Sequence, residues 1–244
     1  KTYDEAKRFK ILQNEKGVTA FKFRIGSECG RGKDEWEGRT EEIVKVINKE
    51  LDLSTSKLVD ANSCYSSDQA IEIGKILIDN NVSHFEEPCP YWEPEETKKV
   101  TDALAIDVTG GEQDCDFRIW KDMIDRKIVN IFQPDVMYMG GLTRILKLAN
   151  IINDYGFKCT PHAANLSLVT VCTMHFLKAI PNAGKYLEYS IEGEDYYPWQ
   201  KELFSKHPFN IIDGNVEISD DPGWGVEINQ NWLETSDYKI SELD

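Results

Sequence analysis

Three acidic residues recur at an even spacing along the chain. Asp60, Glu86 and Glu112 each follow the previous one by 26 residues, and each closes a short run rich in β-branched or aromatic residues. Three carboxylates brought close together would repel one another, and their pKa values would rise unless a cation lay among them. A hard divalent cation with oxygen ligands meets that need. The three acids therefore predict a metal site for Mg²⁺, with Mn²⁺ as the alternative.

A second group of residues could move protons. Lys22 and Arg24 are two positions apart in the run TAFKFRIG, so in a strand they project to the same face. Asp135 ends the run IVNIFQPD, and His162 lies in the next run, FKCTPHA. An Asp that holds a His orients the imidazole and raises its basicity, which is typical of general acid–base catalysis. We therefore predict that His162 works together with Asp135.

The elements that carry these residues alternate between two kinds of pattern. Strand-like runs occur at 19–26, 56–62, 82–88, 106–112, 128–135, 157–163 and 185–190. Helical spacing of apolar residues occurs at 3–16, 41–51, 68–80, 143–156 and 169–180. This alternation indicates an α/β fold with a parallel sheet and crossover helices. Evenly spaced strand ends, with no GxGxxG motif after the first run, favour a barrel over a dinucleotide-binding fold.

In such a barrel, the C-terminal ends of all strands face one mouth, where active sites lie. The predicted acids would therefore converge there. Seven strands are one fewer than a complete barrel, so we expect the first barrel strand to lie outside this chain, in a longer polypeptide. Residues 1–205 are predicted to form the barrel, and 206–244 a C-terminal tail.

Composition limits the classes of partner. The 244 residues carry a formal net charge of −15, which argues against nucleic acid or an anionic membrane surface. No run approaches the roughly 18 apolar residues of a membrane span, and the charged start KTYDEAKRFK does not resemble a signal peptide. Six scattered cysteines without a CxxC pair indicate neither a zinc site nor a disulfide framework. We therefore expect a cytoplasmic protein with reduced thiols.

Taken in order, the motifs resemble those of the enolase superfamily, specifically the mandelate racemase and muconate lactonizing enzyme group. The matching elements are Lys22-Phe23-Arg24, Asp60-Ala61-Asn62, Glu86-Glu87-Pro88, Gly111-Glu112, Gln133-Pro134-Asp135, Gly140-Gly141-Leu142-Thr143, Pro161-His162 and Glu188. The resemblance covers nearly the whole chain and implies a TIM-type (β/α)7β barrel, here lacking its first strand and its N-terminal capping domain. It also implies a homo-oligomer, and a tail that returns toward the capping domain.

The resemblance further implies a shared first step, in which the proton α to a carboxylate is abstracted to give an enediolate held by Mg²⁺. In that scheme Asp60, Glu86 and Glu112 hold the metal, and His162, paired with Asp135, is one base. The strand with Lys22 and Arg24 faces the other side of the substrate. The late acid Glu188 hydrogen-bonds a substrate carboxylate or a water molecule.

Arg24 departs from the racemase pattern, in which a lysine at that position serves as a base. An arginine hardly loses its proton in proteins, so Arg24 is better suited to electrostatic stabilisation or to gripping a carboxylate. Lys22 is a candidate proton carrier. Loss of a β-hydroxyl needs one base and one acid, and His162 could serve as both in turn.

The favoured function is therefore dehydration of a sugar acid to a 2-keto-3-deoxy acid. One alternative is a racemase, epimerase or cycloisomerase acting on a carboxylate substrate. A third hypothesis, from a different class, is a noncatalytic metal-binding barrel.

Overall fold

The computed structural model of the chain describes residues 1–192, 196–237, 239–240 and 242. Within these ranges, six parallel strands form the main sheet, and they follow one another in the sheet in the order of the sequence. The strands are β1 (Ala20–Arg24), β2 (Ser56–Asp60), β3 (Val82–Glu86), β4 (Asp107–Gly110), β5 (Ile131–Phe132) and β6 (Lys158–Cys159). Each lies inside a run that the sequence predicts, so six of the seven predicted strands are confirmed.

Helices precede and connect the strands, as parallel neighbours require. They are α1 (Thr2–Lys16), α2 (Arg39–Glu50), α3 (Ser67–Asp79), α4 (Pro94–Ala103), α5 (Phe117–Asp125), α6 (Leu142–Asp154) and α7 (Leu168–Ala179). The five helices predicted from apolar spacing correspond to α1, α2, α3, α6 and α7, with ends that agree to within two residues. The α/β architecture of alternating strands and helices is confirmed.

Helix ends follow local chemistry. The α3 helix begins at a capping box, in which the Ser66 hydroxyl accepts from the Gln69 backbone N–H and the Gln69 side chain accepts from the Ser66 N–H. The α1 helix ends at Gly17, whose φ of 68° is left-handed and costs glycine little. These signals place the turns that lead into the strands.

Alternation along β1 divides its side chains between two environments. Phe21, Phe23 and Ile25 are buried beneath the helices, and the Phe21 ring stacks on Phe9 of α1 at 4.6 Å between centroids. Burying each such side chain contributes about 1.5–3 kcal/mol. Lys22 therefore projects to the other face, which is the inside of the sheet.

The sheet curves, so that the segment 185–190, which follows α7, contacts β1 and β2. The Lys22 ammonium on β1 lies 2.5 Å from a carboxylate oxygen of Glu188, and the Tyr186 hydroxyl donates to Ser56 at the start of β2 at 2.6 Å. The prediction of a strand over 185–190 is nevertheless wrong. Pairing with β6 is confined to an isolated bridge between Cys159 and Ala183, so this segment contacts β1 and β2 through side chains rather than a backbone ladder.

The C-terminal segments form a second, smaller core against α7. They are α8 (Gln200–Leu203), β7 (Ile211–Ile212), β8 (Asn215–Val216) and α9 (Gln230–Thr235). Leu203, Phe204 and Phe209 pack there with Met174 of α7. Residues 238, 241, 243 and 244 of the predicted tail lie outside the described residues. Among the described helices, none is long and apolar enough to cross a membrane.

Candidate active site

The parallel register brings the predicted acids to one edge of the sheet. Asp60 ends β2 and Glu86 ends β3, and the two are paired across the strands. Glu112 follows two residues after the end of β4 at Gly110. Parallel strands point their carboxyl ends the same way, so these acids share the mouth of the barrel.

Lys22 occupies one side of the mouth, between two carboxylates. Its ammonium lies 2.8 and 2.9 Å from the two oxygens of Glu86 and 2.5 Å from Glu188. We call Lys22, Glu86 and Glu188 the lysine triplet. Glu86 is 2% exposed and also accepts a hydrogen bond from the Gln133 amide at 2.9 Å. Every member of this triplet is therefore held by partners inside the barrel.

Burial and charge act against each other in the lysine triplet. Burial lowers the pKa of Lys22, but Glu188 and Glu86 outweigh it and hold that pKa well above the usual value. Burial raises the pKa of Glu86 well above its usual value, against the opposing effect of Lys22, and the charge of Asp60 adds to the rise. For Glu188, the effect of burial is overcome by Lys22 and His162, so its pKa is lowered. Lys22 is consequently a fixed cation.

His162 occupies a second position at the mouth, again between two carboxylates. Its Nδ1 lies 2.8 Å from Asp135, and its Nε2 lies 3.6 Å from Glu112. We call His162, Asp135 and Glu112 the histidine triplet. Asp135 is itself held by the backbone N–H groups of Met137 and Tyr138, at 2.7 and 2.9 Å. The predicted pairing of His162 with Asp135 is present in the structure.

The electrostatics of the histidine triplet favour a charged imidazole. Burial lowers the pKa of His162, but the hydrogen bond to Asp135 and the charge of Glu112 outweigh it and raise that pKa to about 9. Burial raises the pKa of Glu112, which His162 opposes. Because Asp135 accepts from Nδ1, the Nε2 atom is the one turned toward the other acids of the mouth.

Arg24 does not join either triplet. Its side chain is exposed at the end of β1, and its guanidinium donates to the backbone carbonyl of Ser27 at 3.1 Å. Among the described residues, Arg24 forms no ion pair with the acids at the mouth, and its predicted role toward a substrate carboxylate stays a prediction. Arg24 belongs to the last ladder pair of β1, opposite Asp60, and its long side chain turns out to water.

The predicted metal ligands are neighbours, but they do not form a closed cluster. Across the described ranges, no three His, Cys, Asp or Glu side chains are grouped closely enough to hold a metal. Both oxygens of Glu86 are taken by Lys22, and Asp60 accepts from the backbone and amide of Asn62 at 2.7 and 3.3 Å. Three carboxylates on adjacent strands still match the oxygen donors that Mg²⁺ prefers, so the donor chemistry fits this ion.

Two contacts at the site were not predicted. Gln133 binds Glu86, and the backbone N–H of Ala163 donates to Glu188 at 2.7 Å, which ties the lysine triplet to the segment carrying His162. The motif Gln-Pro-Asp could have indicated the first contact. Gln133 lies two residues before Asp135, so in an extended segment the two side chains project to the same face. Nothing in the sequence marks the second, which depends on how the chain folds back.

Comparison with known families gives one broad match. The family model described as "Enolase C-terminal domain-like" matches residues 4–232. Arabinonate dehydratase of Saccharolobus solfataricus is 24% identical over 97% of this chain and 61% of its own length. L-talarate/galactarate dehydratase of Salmonella typhimurium is 25% identical over 93% of this chain and 52% of its own length. The chain thus spans little more than half the length of these relatives.

Solved structures agree with that match. A protein from Roseobacter denitrificans, provisionally described as a racemase, is 57% identical with a TM-score of 0.97, covering 99% of this chain and 66% of the other. A mandelate racemase/muconate lactonizing protein from Paracoccus denitrificans, complexed with magnesium, is 25% identical with a TM-score of 0.87, covering 99% of this chain and 64% of the other. The predicted barrel class is confirmed, and the chain belongs to the enolase C-terminal domain-like family of the enolase superfamily.

Proposed function

We propose that this chain carries the catalytic barrel of a sugar-acid dehydratase. The observation that carries the proposal is the unequal environment of its two cations: the Lys22 ammonium is bound directly by two carboxylates, whereas the Nε2 atom of His162 has only a loose contact at 3.6 Å. The mouth thus offers one group that can exchange a proton and one fixed charge. Dehydration of a carboxylate substrate needs this combination.

The proposed chemistry begins at His162. In the neutral form of the imidazole, its Nε2 atom takes the proton on the carbon α to the substrate carboxylate, and the electrons of the broken C–H bond move toward that carboxylate. The pKa of about 9 makes this nitrogen a strong base, and the neutral form grows as pH rises toward that value. The same Nε2–H then protonates the β-hydroxyl, the C–O bond breaks, and water leaves. The resulting enol converts to a 2-keto-3-deoxy acid. Asp135 keeps the imidazole in one orientation throughout, through its 2.8 Å hydrogen bond to Nδ1.

Other residues of the chain would stabilise the developing charge. Lys22 is positioned to place its ammonium near the extra negative charge of the enediolate, and Glu188 keeps that ammonium in place. Asp60, Glu86 and Glu112 are the proposed ligands of Mg²⁺, which when bound would supply further positive charge at the substrate carboxylate. We also propose that the full-length protein has an N-terminal capping domain and assembles as a homo-oligomer.

A racemase or cycloisomerase is the second candidate. The Roseobacter denitrificans structure that is 57% identical to this chain is provisionally described as a racemase, and D-galactarolactone cycloisomerase of Agrobacterium fabrum is 25% identical over 78% of this chain. Racemisation needs a base on each face of the substrate. Lys22 meets that requirement only if it leaves both of its carboxylate partners, and Arg24 is exposed.

The test is a screen of the Mg²⁺-loaded protein against sugar acids in D₂O, followed by NMR. Formation of a 2-keto-3-deoxy acid with α-proton loss supports the dehydratase. Deuterium at the α-carbon, or an inverted centre without loss of water, establishes the second candidate instead. Mg²⁺ binding without any exchange on the whole library would identify a noncatalytic barrel.

A further inference from the structure

A cavity outside both triplets lies between α4, α5 and the ends of β3 and β4. Its volume is about 470 Å³. Its buried wall is largely apolar and includes Cys89, Met123, Ile128 and Val129. The exposed aromatic rings of Tyr91 and Trp92 line its opening. A space of this size holds a small organic molecule, since a single water occupies roughly 30 Å³ of liquid volume.

A buried carboxylate gives this cavity a specific polar anchor. Asp114 lines it and is 8% exposed, yet within the described chain its side chain takes part in no hydrogen bond or ion pair. Burial removes most of the water from this side chain, and no protein donor replaces it among the described residues. The backbone around Asp114 is fixed, because its carbonyl accepts from the Trp120 indole at 3.1 Å. The carboxylate is therefore held in position to meet a ligand.

A second acid, Glu87, lies on the inner wall; burial raises its pKa to about 8, so it is a hydrogen-bonding group rather than a fixed negative charge. Glu87 lines the cavity and is 5% exposed; its Oε2 accepts from Ser63 at 3.2 Å, and among the described residues its Oε1 has no hydrogen-bond partner. The opening carries Arg118 and Asp122, and both are exposed. Asp122 is paired with Arg126 at 3.0 Å. The buried end is thus acidic, while the opposite charges at the opening lie in water.

We propose that this cavity binds a small organic cation, namely an ammonium or amidinium group attached to a flat apolar body. The cationic nitrogen donates to Asp114, and the apolar body packs against Met123 and Val129. The rings of Tyr91 and Trp92 at the opening add apolar surface against which the outer end of the flat body can pack. Such a site is distinct from the mouth, where the proposed substrate is an anion.

The test uses benzylamine as the probe and the methionine methyl groups as reporters. The chain has four methionines. Met123 lines the cavity, and Met174 of α7 lies in the smaller core formed with the C-terminal segments. With ¹³C-methyl-methionine labelling, and Met123→Leu to assign its signal, benzylamine is expected to shift the Met123 resonance with a Kd of about 1 mM. The Met174 resonance is expected to stay in place.

Two comparisons make the result decisive. Asp114→Asn should weaken benzylamine binding about tenfold or more, because a charge-assisted hydrogen bond is lost. Asp68→Asn, at an exposed position of α3, removes the same charge and should leave the affinity unchanged. Benzyl alcohol, which matches the probe but is neutral, should bind the unaltered protein about tenfold more weakly. The second comparison stands even if Asp114→Asn fails to fold.

Three outcomes would overturn the proposal. The first is a Met123 signal that does not respond to benzylamine at 10-fold the expected Kd, which would leave water as the occupant. The second is equal affinity for benzyl alcohol and benzylamine. The third is an equal shift of all four methionine signals.

Discussion

The two triplets at the mouth share a design but differ in how tightly each cation is held. Lys22 contacts carboxylate oxygens of Glu86 and Glu188 at 2.8 and 2.5 Å. His162 has one comparable contact, to Asp135 at 2.8 Å, and one loose contact to Glu112 at 3.6 Å. The lysine triplet neutralises buried charge, and the histidine triplet leaves the Nε2 atom of His162 able to react. The distance between each cation and its carboxylates therefore distinguishes a structural ion pair from an imidazole that can react.

Glu188 connects the two triplets. One of its oxygens binds the Lys22 ammonium, and the other accepts from the backbone N–H of Ala163, next to His162. The charge of Glu188 also raises the pKa of His162, after the larger effects of burial, Asp135 and Glu112. A change in the lysine triplet is therefore expected to reach the histidine triplet through this residue.

The largest effect is expected from removing the reactive nitrogen. His162→Asn should lower the exchange of the substrate α-proton with deuterium by about 10⁴-fold, because an amide cannot take the proton. The measurement is the rate of α-deuteration by NMR on a substrate found in the screen. His207→Asn, in the C-terminal tail, is the matched control and should exchange normally. Retained exchange in His162→Asn would move the role of the base to Lys22.

Breaking the lysine triplet should first be visible as a loss of folding stability. Lys22→Met removes the cation between two buried carboxylates and should lower the free energy of unfolding by about 3 kcal/mol. Urea denaturation measures this loss. Adding Glu188→Gln to Lys22→Met should recover part of it, because one of the uncompensated charges is then gone. If the double variant is no more stable than the single one, the two residues do not act as a triplet.

Metal binding tests the proposed ligands, of which the lysine triplet contributes Glu86 and the histidine triplet contributes Glu112. Glu86→Gln should weaken Mg²⁺ binding roughly 100-fold, because a charged ligand is replaced by a neutral one. Titration calorimetry gives the affinity, and Glu95→Gln on the exposed surface of α4 is the control. An unchanged affinity in Glu86→Gln would remove Glu86 from the proposed ligand set.

The smallest effect on stability is expected from an ion pair at the surface, which provides a comparison for the two buried triplets. Glu96 of α4 accepts from the Ser67 backbone and hydroxyl at 3.1 and 2.5 Å and pairs with Lys99. The hydrogen bond from Lys99, followed by those from Ser67, lowers the pKa of Glu96 to about 2. A lowered pKa in the folded state means that this stability is present above the usual carboxyl pKa and is lost as pH falls from about 4.5 to 2.

Glu96→Gln is therefore expected to cost about 1 kcal/mol at pH 7, a value kept small by solvent screening at the surface. The difference from the unaltered protein should vanish near pH 2. Unfolding curves across this pH range measure it, with Glu72→Gln on α3 as the control for a surface carboxylate paired with a lysine. A difference that persists at pH 2 would show that the charge of Glu96 is not its cause.

The sequence predicted most of the framework that positions the site. Five helices (α1, α2, α3, α6 and α7) and the first six strands follow from apolar spacing, because periods of 3.6 and 2 are local properties of the chain. Asp60 and Glu86 were placed at strand ends by the same local patterns. The pairing of His162 with Asp135 followed from their positions on neighbouring strands, since adjacent parallel strands end side by side.

Side-chain choices at the mouth could not be predicted in the same way. The sequence shows that Lys22 and Arg24 share a face, but not that one would find two carboxylates while the other turned to solvent. Likewise, it shows a strand-like run over 185–190 but not that backbone pairing would stop at Ala183. These outcomes depend on which partner is within reach once the sheet has curved.

The sequence by itself therefore determined the alternation of strands and helices, the edge at which the acids gather and the family of the chain. Only the tertiary structure decided that Glu86 is held by Lys22 and Gln133, and that Glu188 bridges to the segment of His162. The reason is physical: strand and helix formation depend on residues a few positions apart, whereas these contacts join residues 25 to 64 positions apart. Such pairs are chosen by the competition of buried charges for the nearest partner, and that competition exists only in the folded chain.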